Sequence, residues 1–193
     1  MTRVGWAGWR INEKGDWELL WEGDGGSNFR PQFSADGTLV FQERSEGFDQ
    51  TSNTLRAVIE AYNPRTGELV EAVHGSGLPW YRAIIAPDTR LIANVFAKDI
   101  SIFARGPGLR KLLTLRNDNR KEFTSIAFHS SGRFLAATSN DATVKLYDTT
   151  TWEVARTFTW DIGRMRSIAF SPDGTLAAAG SDKGKVVVWD VDL

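Results

Sequence analysis

RMRSIAFSPDGTLAAAGSDKGKVVVWD, residues 164–190, divides into three short strands separated by two turns. Ser167 to Phe170 predicts the first strand, and Ser171-Pro172-Asp173-Gly174 the turn after it. Proline presets φ at the second turn position, and glycine closes the turn at no steric cost. Leu176 to Ala179 predicts the second strand, Ser181 to Gly184 the next turn, and Lys185 to Trp189 the third strand. LAAA and VVVW are apolar on both faces, so this sheet needs cover on both sides. The small residues of the middle strand let a neighbouring layer approach closely. The expected unit is a sheet inside a stack of sheets.

The same phrase recurs upstream. Thr124 to Phe128 is followed by His129-Ser130-Ser131-Gly132, then Phe134 to Ala137, Ser139-Asn140-Asp141, and Thr143 to Asp148. Weaker copies are Arg82 to Ile85 with Ala86-Pro87-Asp88-Thr89, and Phe29 to Phe33 with Ser34-Ala35-Asp36-Gly37. The apolar residue before each turn falls at Phe33, Ile85, Phe128 and Phe170, at spacings of 52, 43 and 42. The aromatic ending each third strand falls at Trp9, Tyr62, Phe103, Tyr147 and Trp189, at spacings of 53, 41, 44 and 42. Two independent markers give one period, and a period of about 40–45 residues marks blade-like repeats. The pattern resembles the WD40-repeat β-propeller family, most specifically where SPDG and Trp189-Asp190 stand.

That resemblance implies an all-β fold, a WD40-like propeller segment of about four four-stranded blades, arranged as an open arc or half-propeller. The chain reads as a single segment over 1–193, with spare third and outer strands in 1–23. Blades are expected over 28–74, 81–115 and 123–160, with an incomplete fourth over 165–193. Glu43 to Asn53 is expected as a long connection between the second and third strands of the first blade. Unpaired edges and uncovered faces at the two ends of such an arc favour association. The ends complement each other rather than themselves, which suggests a head-to-tail homodimer closing an eight-bladed ring. The competing reading is a truncated fragment of a larger propeller without independent function.

Composition narrows the chemistry. The net charge of −1 gives no reason to expect nucleic acid or a membrane surface as partner. The chain has no cysteine, which excludes disulfides, thiolate metal sites and cysteine nucleophiles. Neither a signal-like apolar segment nor a membrane-length run is present, and a cytoplasmic location is expected. His74 and His129 are the only histidines, read as solvated loop residues, and no HxxxH, DxD or GxSxG context surrounds them. No catalytic, cofactor-binding or metal-binding constellation emerges, so the chain is expected not to be an enzyme and to need no cofactor.

In the family, a third-strand Trp, an Asp in the preceding turn, a Ser or Thr and a Gly-His pair form a buried hydrogen-bond network. Asp141 matches the Asp position, but the aromatic is Tyr147; beside Trp189 the matching position holds Lys183. No Gly-His pair precedes a first strand. The remaining polar members are expected to face solvent, since a half-satisfied buried network is costly. The eight tryptophans, including Trp6, Trp9, Trp17 and Trp21, read mostly as core.

What remains is surface recognition. The propeller resemblance puts the loops entering first strands and those joining second to third strands on one face. That face collects Trp80, Tyr81 and Arg82, then Arg120 and Lys121, then Arg164, Met165 and Arg166, with Phe48 rising beside them. Aromatic and Arg side chains are the usual anchors of protein interfaces. The resemblance therefore implies a non-enzymatic protein–protein interaction scaffold. The contrasting class, a propeller-type small-molecule or sugar binder or enzyme, needs a convergent polar cluster at the axis, and the sequence supplies none.

Overall fold

The computed structural model describes residues 5–24, 31–51, 54–76, 83–118 and 120–192, and among them every regular element is a strand. Strands β1 (Gly5–Ile11) and β2 (Trp17–Asp24) form an antiparallel hairpin. Strands β3 (Gln32–Phe33), β4 (Val40–Asp49), β5 (Thr54–Tyr62) and β6 (Leu69–Ser76) form a four-stranded antiparallel sheet in sequence order. The next sheet has the same order: β7 (Ala83–Ile85), β8 (Leu91–Phe96), β9 (Asp99–Ala104) and β10 (Arg110–Arg116). So does the third, β11 (Phe123–Phe128), β12 (Phe134–Ser139), β13 (Thr143–Asp148) and β14 (Val154–Thr159). A three-stranded sheet follows: β15 (Met165–Phe170), β16 (Leu176–Ser181) and β17 (Val186–Asp190). Strands β1–β6 fall in one compact unit and β7–β17 in another.

Each first strand is joined to its second by one and the same turn. The amide of Ser34, Ala86, His129 and Ser171 donates to the carbonyl of Leu39, Leu91, Phe134 and Leu176, respectively. Three residues into each turn stands a left-handed residue: Gly37, Thr89, Gly132 or Gly174, with φ of 68°, 61°, 72° and 76°. Ser34 and Ser171 add a side-chain lock, each hydroxyl donating to the Asp two residues on and accepting the amide of Leu39 or Leu176. Accepted bonds from Ser34 and Thr38 hold the Asp36 carboxyl down at about 2, and the equivalent bonds lower Asp173.

In the second unit the sheets pack face to face. Ala93, Val95, Ile100 and Ile102 of β8–β9 meet Phe123, Ile126, Leu135, Ala137 and Tyr147 of the β11–β14 sheet. The opposite face of that sheet, with Phe134, Ala136, Val144 and Leu146, packs on Met165, Ile168 and Ala179. Strand β12 is buried at all six positions because both of its faces are covered, as an alternation-free apolar strand requires. At the outer edge Trp189 joins the Phe158–Trp160 stack, its ring centroid 4.7 Å from that of Trp160.

The structure corrects several expectations. Glu43 to Asn53 is not an open connection: β4 and β5 run on as a hairpin as far as the Asp49–Thr54 pair, bulged between Ser45 and Gly47. The side chain of Phe48 lies outside the described residues. Trp9 and Trp17 are exposed, because a two-stranded hairpin offers one face to its neighbour and leaves the other in water. Trp21 is the half-buried one, donating from Nε1 to the Pro64 carbonyl at 2.9 Å and lying over Gly67, where a Cβ would not fit. The side chain of Trp6 is outside the described residues. His74 sits within β6 opposite Val58, exposed as expected but on a strand. His129 is buried. Its Nδ1 accepts the Ser131 amide at 3.1 Å, which makes Nε2 the donor to the Gly174 carbonyl 2.9 Å away. The ring also stands edge-on to Phe170 at 5.1 Å, so one histidine ties two sheets together.

Three stability outcomes follow from these contacts. Gly174→Ala places a methyl 2.5 Å from His129 Nε2 at a left-handed φ, and should cost at least about 2 kcal/mol in urea denaturation. Ala142 closes the β12–β13 turn at φ 67°, a position that Gly184 fills in the next sheet. Ala142→Gly should therefore stabilise by about 1 kcal/mol. Burial pushes the Glu43 carboxyl up to about 7. The folded chain then holds a proton that the unfolded chain has released, so stability should fall as pH rises from the ordinary 4.5 through about 7. Glu43→Gln should flatten that slope in melts taken between those limits.

Candidate interaction face

In the second unit, the loops entering first strands and the turns between second and third strands are laced together by backbone. The Phe123 amide donates to Ala97, Asn117 to Lys98, Asn140 to Glu122, and Asp182 to Arg164. Both kinds of loop thus occupy one rim of these stacked sheets. The lacing fixes the side chains that project from it.

Beneath the rim lies a buried polar network centred on Lys145 and Asn117. Lys145 is buried on β13, and its Nζ donates to Asn117 Oδ1 at 3.0 Å and to the Asp118 carboxylate. Asn117, itself buried, donates from Nδ2 to the Ser139 hydroxyl at 2.8 Å and to the Lys121 carbonyl at 2.9 Å. The Lys145 bond holds the Asp118 carboxyl below its usual range. Asn117 stands in the loop before β11 and reaches Ser139 at the end of β12. Asp141 serves its own turn by accepting from the amide and hydroxyl of Thr143. A second buried bond crosses the sheets: Thr124 donates to the Met165 carbonyl at 2.8 Å and pairs with the Thr138 hydroxyl. The buried side chains of Lys145, Asn117, Ser139, Thr124 and Thr138 are tolerated because each finds a partner.

On the rim, side chains from four loops and strands form a row. Glu122 Oε2 accepts from Asn140 Nδ2 at 3.4 Å, and Asn140 Oδ1 accepts from Arg166 Nη1 at 3.0 Å. Asp182 lies 3.7 Å from Arg166 and 3.9 Å from Arg164, and it also accepts the Arg164 amide at 3.0 Å. Exposed pairs of this kind add little stability. Their effect is to hold Arg166 in one place. Beside it opens a groove of about 690 Å³, walled by Val95, Phe96, Phe123 and Thr124 and rimmed by Glu122, Asn140 and Arg166.

The residues singled out from sequence divide accordingly. Arg166 lines the groove, Arg164 stands next to it on Asp182, and Arg120 and Lys121 are exposed in the loop that Asn117 anchors. Met165 is not a surface residue; it is fully buried between two sheets, because the bulge at the start of β15 turns it inward. Trp80, Tyr81 and Arg82 lie outside the described residues. Phe96 and Asn140 escaped the sequence reading as site residues, although Phe96 ends β8 and Asn140 directly follows β12, so both had to reach this rim. Among the described residues no group of three or more His, Asp or Glu could hold a metal. No helix there is long and apolar enough to cross a membrane.

The network sets a contrast between two substitutions. Asn117→Ala leaves the buried Lys145 and Ser139 short of partners and should cost about 2 kcal/mol. Lys145→Met should cost less in the same urea titration, because Asp118 is exposed and returns to water.

Residues 110–148 and 153–190 each match the family described as "WD domain, G-beta repeat". Each match opens on the outer strand of one sheet (β10 or β14) and continues through the first three strands of the next, so the repeats overlap the sheets like roof tiles. The chain is similar to the target of rapamycin complex subunit wat1 of Schizosaccharomyces pombe, 22% identical over 187 residues that cover 75% of this chain and 57% of that protein. It is also similar to the WD repeat-containing protein SL1-17 of Schistosoma mansoni, 25% identical over 155 residues, 80% of this chain and 51% of the relative. A third relative is the U3 small nucleolar RNA-associated protein 15 homolog of Xenopus tropicalis, 27% identical over 126 residues, 65% of this chain and 24% of the relative. The chain thus spans little more than half the length of these relatives at most. Two WD40 repeats are thus matched within the chain, over residues 110–148 and 153–190, and they are set in antiparallel sheets of sequential strand order.

Proposed function

We propose that this chain is a non-enzymatic protein-interaction module that binds its partner through the groove beside Arg166. The observation that carries the reading is the groove itself: an exposed Phe96 on one wall and, on the rim, an arginine held in position by Asn140 and Asp182. Arg120, Lys121 and Arg164 stand on the same rim. Pre-positioned arginine and aromatic side chains are what binding hot spots are made of. The chemistry suits an extended acidic segment that carries an apolar side chain for the groove. That the fission yeast relative is named as a complex subunit agrees with such a role.

The test is selection of random peptides on the intact chain, followed by titration of the selected sequences against variants. Enrichment of acidic residues around an aromatic or aliphatic one is expected, with affinity falling as salt rises. Arg166→Glu and Phe96→Ala should each weaken binding by about tenfold or more. Selected peptides that bind both variants as tightly as the parent would defeat this reading.

A further inference from the structure

Two pairs of residues hold the same two repeat positions along the rim, and they are filled differently. The backbone amide of Asn140 donates to the Glu122 carbonyl, as that of Asp182 does to the Arg164 carbonyl in the next sheet. In the second pair the side chains carry opposite charges, and Arg164 lies 3.9 Å from Asp182. In the first pair an acid faces a neutral amide. The exposed Glu122 carboxylate accepts one long bond, at 3.4 Å from Asn140 Nδ2, and has no ion-pair partner among the described residues. This holds although Arg120 and Lys121 precede it in the same loop.

The Asn140 side chain also keeps the two charges of the groove apart. Its Oδ1 accepts from Arg166 Nη1 at 3.0 Å while its Nδ2 is turned to Glu122, so the amide dipole is satisfied at both ends. A guanidinium and a carboxylate thus border one groove with an uncharged spacer between them. Asp182, 3.7 Å from Arg166, offsets part of the arginine's charge from the other side. Glu122 is left as the less compensated of the two. The wall below carries Phe96, 46% exposed, with Val95 and Phe123. A purely acidic segment would be repelled at Glu122 in the same groove where Arg166 attracts it. We infer that Glu122 is a specificity-determining residue, and that the groove selects a dipolar peptide segment. Such a segment offers an acidic residue to Arg166, an apolar one to the Phe96 wall and a Lys or Arg to Glu122. This rests on the groove being the binding surface, as proposed above, and narrows the class of its ligand. Opposite charges at two ends fix register and reject wrong partners more than they add affinity. Two residues of extended chain span about 7 Å, so the acidic and basic residues fall within about four positions of each other.

The test is selection from a displayed library of random peptides on the intact parent, on Glu122→Lys and on Arg166→Glu, both substitutions falling on exposed side chains. Sequences selected on the parent should carry Lys or Arg within about four positions of the acidic residue. Glu122→Lys should turn that basic preference acidic and keep the apolar position, whereas Arg166→Glu should lose the acidic preference. Asn140→Lys gives the carboxylate a partner from the chain itself, as at Arg164 and Asp182, and should abolish the basic preference too. In titrations of one synthetic peptide selected on the parent, exchanging its basic residue for Gln should weaken binding by about two- to fivefold. The same exchange should have no effect on Glu122→Gln. Acidic enrichment that Arg166→Glu removes, without any basic preference on the parent, would overturn this inference and leave the groove standing as the binding surface. A basic preference that survives Glu122→Lys would overturn it as well. Enrichment that depends on neither Arg166 nor Phe96 would remove the groove reading and this inference with it.

Discussion

Burial of sheet faces against other sheet faces is the constraint on which this structure depends. A strand such as FLAATS (β12) has no polar side to offer water, so it is stable only between two layers. The stack supplies those layers, and each repeat contributes the outer strand of one sheet and the inner three of the next. Contacts that cross from sheet to sheet add direction to the apolar packing. His129 reaches Gly174, and Thr124 reaches the Met165 carbonyl. Neither bond is large alone. Together they set the register of one sheet upon the next.

The rim inherits its geometry from that stacking. Turns between second and third strands are short and left-handed at Ala97, Ala142 and Gly184, so their neighbours cannot wander. Lys145 and Asn117 pin the loop before β11 from below, while Asn140 and Asp182 pin Arg166 from the sides. A surface recognised by a partner benefits from such order, because less conformational freedom is lost on binding.

Much of this was legible in the residues. The recurring apolar-turn-apolar phrase gave strand order, turn positions and stacking, because a Gly or Asp at a fixed offset from a doubly apolar strand admits few other folds. The side-chain chemistry between sheets was less accessible. His129 lies in a turn by sequence and in a core by structure, since the neighbouring sheet closes over it, and only a three-dimensional stack reveals that. Lys145 reads as the polar position of an alternating strand, yet Asn117, 28 residues earlier, makes it an interior residue. Trp9 and Trp17 misled in the opposite direction: tryptophan spacing signals a strand face, but says nothing about whether that face is covered. On the rim, Arg164 and Arg166 were identifiable from their loop, whereas the groove needed Phe96 and Asn140 from two other sheets.

The account's central claim is that burial between sheets, more than strand pairing within them, sets local stability. Hydrogen exchange followed amide by amide tests this most directly. Amides of β12 and β13, covered on both faces, should exchange slowest and only with global unfolding. Those of β16, paired on both sides like β12 and β13 but open on one face, should exchange much faster. Equal protection across β12, β13 and β16 would contradict the account, and would mean that pairing within each sheet carries the stability instead.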